Sequence, residues 1–309
     1  MKKVISLFFN TDRTYITKVQ NKNEGLELEY FNSTNSPIDL DAIHSNEEVE
    51  GFDEIESVLN NFDVESDMIN LVFPADAIMT SQLPGKVKMK KEEILDLISL
   101  ELKRAYPKLN INDFEIQVVQ MGTNKKGDAN QLAIIYQKHD LELFQQLLQK
   151  YNTPIKMKYV SQIAAANAFL YNYPEFQQKN AAIIGIQNNF IDFCVLSNSQ
   201  MVYYSLLNYS NESDIPEILE KELGKVTDEI IVDLSAGLFF YGSDLTKSVL
   251  LSVWEIAMLF GVEGKRLNAF RMIKTNLGKR EREYASRTMQ IYPACIGGTL
   301  PNFFQSVII

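Results

Sequence analysis

The chain holds few side chains of the kinds that carry out covalent chemistry. Its two histidines, His44 and His139, lie in polar stretches, so acid–base or hydrolase constellations have little to draw on. Its two cysteines, Cys194 and Cys295, sit in apolar surroundings without a C-x-x-C partner. That argues against metal, redox and disulfide roles, and for a reducing compartment. The motifs G-x-S-x-G, H-E-x-x-H, G-x-G-x-x-G after a strand and G-x-x-x-x-G-K-[ST] are all absent. The 261–265 run, GVEGK, has the wrong spacing for a phosphate loop and no Ser or Thr after its lysine.

Charge narrows the function classes further. Lys and Arg number 30 against 40 Asp and Glu, a net charge of −10 over 309 residues. Eleven of the acidic residues fall between Asp39 and Asp67, where there is no Lys or Arg. The rest of the chain carries 29 acidic and 30 basic residues. A near-neutral body with one acidic segment is not the profile of a nucleic-acid binder. The basic spots are Lys86, Lys88, Lys90 and Lys91, and the 265–287 stretch with Lys265, Arg266, Arg271, Lys274, Lys279, Arg280, Arg282 and Arg287. They read as solvated faces. The sharper alternative is that the 265–287 stretch docks onto the acidic segment of another copy.

These residues are positioned by a chain that alternates strand and helix patterns. Strands are expected at 4–9, 14–19 and 25–31, a helix at 52–62, and a strand at 68–73 ended by Pro74. From 74 to about 153 the pattern reads strand (78–83), amphipathic helix (90–105), strand (114–121), strand (131–137) and helix (140–151, capped by Asp140), a compact α+β insert. A strand at 156–160 and an Ala-rich helix at 161–171 follow. Three more strands then run in a meander at 181–186, 190–196 and 202–207. Helices are expected at 215–223 and 248–260, with Trp254 in the core. The 230–234 and 238–240 segments are apolar and of ambiguous type. The MKKVISLFFN start reads as a strand, since no small-residue cleavage site follows it. The longest apolar stretch, 249–262, is too short to span a bilayer. Three strands with tight turns open the chain and three more begin at Ala181. That recurrence predicts two related α/β halves.

The order of elements resembles the actin-like ATPase superfamily, and within it the PilM group of type IV pilus assembly proteins, relatives of FtsA. The resemblance rests on LVFPADAIMTSQLPG (71–85) leading into the helix KKEEILDLISLELKRAYP, on QLAIIYQKHDLELFQQLLQKYNTPIKMKYV (131–160) before an Ala-rich helix, and on the closing YPACIGGTL (292–300). It implies an α/β fold of two RNase H-like halves with an inserted α+β subdomain of the 1C type. The implied boundaries are 1–73 for the first half, with parts of 154–179 and 277–309. The insert spans 74–153 and the second half 180–276.

In members that bind ATP, two Asp-x-Gly turns anchor magnesium and let backbone N–H groups approach phosphate, and an adenosine turn carries two glycines. Here the first turn is SLFFNTDR, with Phe8 at the Asp position and Asn10 at the Gly position. The second is IIGIQNN, with Gly185 and Gln187 at those positions. The third is FFYGSDL, which keeps Gly242 and has Ser243 in place of the second glycine. Both carboxylates are lost, so no metal and no cofactor is expected, and the chain reads as a pseudo-ATPase. The resemblance then implies a non-catalytic cytoplasmic scaffold at the inner face of the inner membrane. Its partner would be the cytoplasmic tail of a PilN-like inner-membrane protein, held in a groove between core and insert, with self-association as a further expectation. Phe73, Leu83, Leu97, Leu100 and Ile134 are the expected groove residues. The alternatives are the cytoplasmic half of a GspL-like secretion protein, or an actin-like ATPase or kinase with a displaced site built on Asp12, Asp192 and Asp244.

Overall fold

The computed structural model describes residues 3–23, 25–40, 49, 51–62, 67–85, 90–105, 107–108, 110–151 and 153–309. His44, Lys86, Lys88 and six residues of the acidic segment (Asp41, Glu47, Glu48, Glu50, Asp63 and Glu65) lie outside them. The chain opens with strands β1 (Lys3–Phe9), β2 (Thr14–Lys22) and β3 (Gly25–Ser33), then helix α1 (Phe52–Leu59) and β4 (Met68–Phe73). The insert follows as β5 (Met79–Gly85), α2 (Lys91–Ala105), β6 (Phe114–Thr123), β7 (Ala129–Gln137) and α3 (Lys138–Leu148). After β8 (Ile155–Val160) and α4 (Ser161–Asn172) comes the second meander of β9 (Ala181–Gln187), β10 (Phe190–Ser197) and β11 (Gln200–Asn208). The remainder is α5 (Ile215–Lys225), β12 (Gly237–Tyr241), α6 (Lys247–Leu259), β13 (Gly264–Arg266), β14 (Lys274–Thr275), α7 (Lys279–Thr288), α8 (Pro293–Gly297) and β15 (Ser306–Ile308).

The strands form three sheets, ordered β14-β3-β2-β1-β4-β8, β11-β10-β9-β12-β13 and β15-β6-β7-β5. In the first, β1 is antiparallel to β2 and β2 to β3, while β4 and β8 run parallel to β1. In the second, β9, β10 and β11 form the antiparallel meander, and β12 and β13 run parallel to β9. The two sheets therefore share one topology, as the recurrence in the sequence predicts. The insert's sheet is an antiparallel layer backed by α2, whose Ile94, Ile98 and Leu102 pack on Leu83, Ile116, Val118 and Ile135. Two short strands join sheets far from their chain neighbours: β14 lies beside β3, and β15 beside β6.

Between the two larger sheets lies α4, buried at every residue but Tyr171. Its alanines allow very close approach by α8. A Cβ on Gly297 would stand 1.6 Å from the Ala164 carbonyl oxygen, and one on Gly298 would stand 2.3 Å from the Ser6 hydroxyl. The tail YPACIGGTL is thus a packing element, and only glycine fits at 297 and 298.

Several local expectations are corrected. Asp140 does not cap α3, because the helix starts at Lys138 with Gln137 as N-cap, putting Asp140 in its first turn. The 230–234 segment, of ambiguous type in the sequence, is the end of a π-helical turn at Val226–Ile230 followed by loop. Trp254 is not core but 38% exposed, on the outer side of α6 with Leu251 and Met258. The described part of the acidic segment is built into the fold. Asp67 and Lys18 form a buried ion pair at 2.6 Å, Glu56 pairs with Lys150 at 2.5 Å, and Glu54 accepts from the Asn35 backbone at 2.8 Å. Helix α7, with its run of Lys and Arg, buries no residue. No helix among the described residues is long and apolar enough to cross a membrane.

Candidate functional site

Two places on the molecule bring polar groups together from distant parts of the chain. The first is the junction of the three turns that follow β1, β9 and β12. Asn10, on the first, is buried, and its Nδ2 donates to Asp12 Oδ1 at 2.8 Å, Gln187 Oε1 at 3.2 Å and Ser243 Oγ at 3.3 Å. Two amide hydrogens serve three acceptors, so one bond is shared. Asp12 is an acceptor only, which fixes the amide with its nitrogen toward the cluster. The Ser243 hydroxyl also reaches Gln187 Oε1 at 3.3 Å, and Asp12 accepts from Tyr15 Oη at 2.6 Å. Side chains from three turns thus bond to one another across the gap between the two large sheets.

The positions expected for carboxylates hold no charge. Phe8 is a buried ring stacked on Tyr15, with centroids 6.0 Å apart. Gly185 leaves room for Tyr241, whose ring would lie 2.4 Å from any Cβ placed there. Gly242 is at φ +124°, and a Cβ there would meet the Ile186 carbonyl oxygen at 2.0 Å. The retained glycine therefore has a packing reason of its own. Among the described residues no cluster of His, Cys, Asp or Glu could hold a metal ion. The residues of this junction do not fit magnesium nucleotide: amide side chains fill the turns, and Asp12 is already engaged by Asn10 and Tyr15.

The three acids of a displaced site are not brought together as a set. Asp12 and Asp244 stand close enough for repulsion, and burial followed by the Asp12 charge pushes the Asp244 carboxyl up from its ordinary value. Asp192 lies apart on β10, wholly buried, accepting from Ser161 Oγ at 2.5 Å and Tyr241 Oη at 3.3 Å. Burial pushes its pKa up to about 7, although both hydrogen bonds oppose the rise.

The second place is a cleft of about 850 Å³ between the insert and the second large sheet. One wall is β5 with the Ala75–Ala77 turn before it, and the other is β11 at Tyr203–Leu206. Both strands are sheet edges. The insert is tied to the second sheet's side of the molecule by Lys125, whose backbone N–H donates to the Ile230 carbonyl at 2.7 Å and whose Nζ donates to the Thr227 carbonyl at 2.9 Å. Gln82 Nε2 bridges the cleft to the Tyr204 carbonyl.

None of the five expected groove residues lines this cleft. Phe73 is buried among Phe9, Tyr136 and Phe144, Leu83 is in the insert's core, and Ile134 is fully buried. Leu97 is half-buried against the insert's core, and Leu100 points outward at 66% exposure. The lining that sequence reasoning missed includes Asp76, Thr80, Gln82, Glu101 and Tyr204. No local motif marks these residues. They meet only through the packing of the insert against a strand more than a hundred residues away.

No family model and no curated protein matches the sequence. Among solved structures, the chain is similar to one of the PilM–PilN type IV pilus biogenesis complex, over 96% of this chain and 99% of that one, with a TM-score of 0.69 and 10% identity. It is also similar to a Bacteroides thetaiotaomicron protein of actin-like ATPase fold and unknown function, over 87% and 93% of the two chains, with a TM-score of 0.52 and 10% identity. The fold is actin-like. A fainter likeness, to the cytoplasmic domain of EpsL, an inner-membrane component of the type II secretion system of Vibrio cholerae, covers 84% and 94% at a TM-score of 0.44 and 10% identity. At 10% identity the first two likenesses speak for the architecture, which agrees with the resemblance drawn from the motifs, and not for what the chain binds.

Proposed function

We propose that this chain is a non-catalytic, cytoplasmic actin-like scaffold that holds an extended segment of an inner-membrane partner. The setting would be a type IV pilus or related secretion assembly, with a PilN-like tail as the segment. The observation that carries this reading is the cleft walled by two strands at sheet edges, β5 and β11. Edge strands present unpaired main-chain N–H and C=O groups, and an extended peptide satisfies them by adding a strand. The hydrogen-bonded junction of Asn10, Asp12, Gln187 and Ser243 supports the non-catalytic half of the reading. A phosphate would have to break that cluster and then face Asp12 and Asp244. A peptide array of cytoplasmic tails from the inner-membrane proteins of the source genome, probed with the whole chain, tests the reading. Capture of a tail that is lost with Ser205→Trp, a plug on the β11 wall, is the expected result. Micromolar binding of Mg·ATP by calorimetry would overturn the non-catalytic half.

A further inference from the structure

We propose that helix α7 is the docking surface for the acidic 39–67 segment of a second copy, so that copies join head to tail. The proposal does not depend on the reading of the cleft.

Helix α7 is a cationic surface without a partner in its own chain. It buries no residue, and Tyr284 anchors it by stacking on Phe31 with centroids 5.6 Å apart. Lys279, Arg280, Arg282 and Arg287 form no ion pair among the described residues. Glu283 stands four residues from both Lys279 and Arg287, the spacing of a helical ion pair, and pairs with neither. Glu281 turns back instead to accept from the Gly278 N–H at 2.7 Å. A helix polar on all sides is ordinarily laced by such pairs or spans between bodies. Without the pairs, the second role fits α7.

The matching charge is on the same chain, on the far side of the first sheet. The 39–67 segment holds 11 acidic residues and no Lys or Arg. Neighbouring residues of a strand point to opposite faces, and Tyr30 and Phe31 are neighbours on β3. Phe31 faces α7. Tyr30 packs edge-on against Phe62 at 5.0 Å, and Lys18, its partner in register on β2, pairs with Asp67. Phe9 shares the face of Lys18 and packs on Phe144 of α3, and Lys150, just beyond α3, pairs with Glu56 of α1. Phe62, Asp67 and α1 therefore lie on one face of the sheet and α7 on the other.

These parts are held apart within one copy, and a single two-fold contact cannot engage both faces. What remains is a heterologous contact, acidic face to basic face, which repeats into an open chain of copies. The contact joins exposed charges, so salt dissolves it.

Sedimentation velocity on the whole chain tests the proposal. At about 50 mM salt the parent should form species heavier than the 35.3 kDa monomer, and at about 1 M, where the screening length is about 3 Å, only the monomer should remain. Two variants each lose one face: Arg280→Glu/Arg282→Glu/Arg287→Glu on α7, and Glu47→Gln/Glu48→Gln/Glu50→Gln/Asp53→Asn on the acidic segment. Each should be monomeric alone, with a thermal melt matching the parent's. Mixed one to one at low salt, they should form a heterodimer that grows no further, because each supplies the face that the other lacks. An α7 variant that associates like the parent, or a mixture that stays monomeric, overturns the proposal. So does a parent that is monomeric at both salt concentrations, whether or not its α7 binds phosphatidylglycerol vesicles instead.

Discussion

The junction of the three turns makes a quantitative prediction about Asn10→Asp. The substitution is isosteric and changes one thing, replacing a donor with an acceptor that carries charge. Nδ2 now serves Asp12, Gln187 and Ser243, with the Asp12 bond the shortest at 2.8 Å. A carboxylate there faces a second carboxylate. Two unit charges about 4 Å apart at an effective dielectric constant of about 20 repel by about 4 kcal/mol. Asp12 is 31% exposed, and screening brings the expected net cost to about 2–3 kcal/mol at neutral pH. The sign with pH follows from the coupling. The folded pair holds one proton more tightly than the unfolded chain, so its carboxyl pKa is raised in the folded state. Stability is then lost as pH rises through that raised value, and the deficit closes below about pH 4. Urea unfolding followed by circular dichroism, at pH 4 and pH 8, measures both quantities. A variant as stable as the parent at pH 8, or a deficit identical at both values, would refute the claim that Asn10 closes the junction.

Three further predictions concern the core. Asp192→Asn should remove a pH dependence: with a folded pKa of about 7 against 3.8 for the free group, the parent loses roughly 1.4 kcal/mol per pH unit as pH rises between those values. The variant's stability, measured by denaturant midpoint, should lack that component, and parallel curves would contradict the buried-acid assignment. Lys18→Met should cost about 3–5 kcal/mol by leaving Asp67 buried without its counter-charge, and a melt within a degree or two of the parent would show that the pair is not buried. Gly297→Ala should cost more than about 3 kcal/mol or prevent folding. Its methyl would meet the α4 backbone, and a normal yield with a parental melt would contradict that close approach.

Much of the architecture was readable from local pattern. The MINLVF run ended by Pro74 gave β4 to the residue, and the doubled meander gave the shared topology of the two large sheets. The Ala-rich stretch gave a helix able to lie between them, since alanine buries little volume and permits close approach. The losses fall where geometry depends on distant packing. Trp254 stands at helical spacing in an apolar run, but α6 packs through Val249, Val253, Ile256 and Ala257, leaving the ring outside. Of the hydrophobic residues expected in a groove, Phe73, Leu83 and Ile134 lie in the core, while Leu100 is exposed. The cleft is lined by polar and apolar residues alike, among them Thr80, Ser81 and Gln82 of β5 with Met79, and Tyr204, Ser205 and Leu206 of β11. The meeting of Asn10, Gln187 and Ser243 followed from placing them on equivalent turns, but their bonding to one another is written in no single segment.

The measurement that bears most directly on the account is hydrogen exchange of the whole chain with a captured tail peptide and, in parallel, with Mg·ATP. The account predicts new protection at residues 79–85 and 200–208 with the peptide, and no change at the turns around Asn10, Gln187 and Ser243 with nucleotide. Protection of those turns by Mg·ATP, with β5 and β11 unchanged by the peptide, would contradict it.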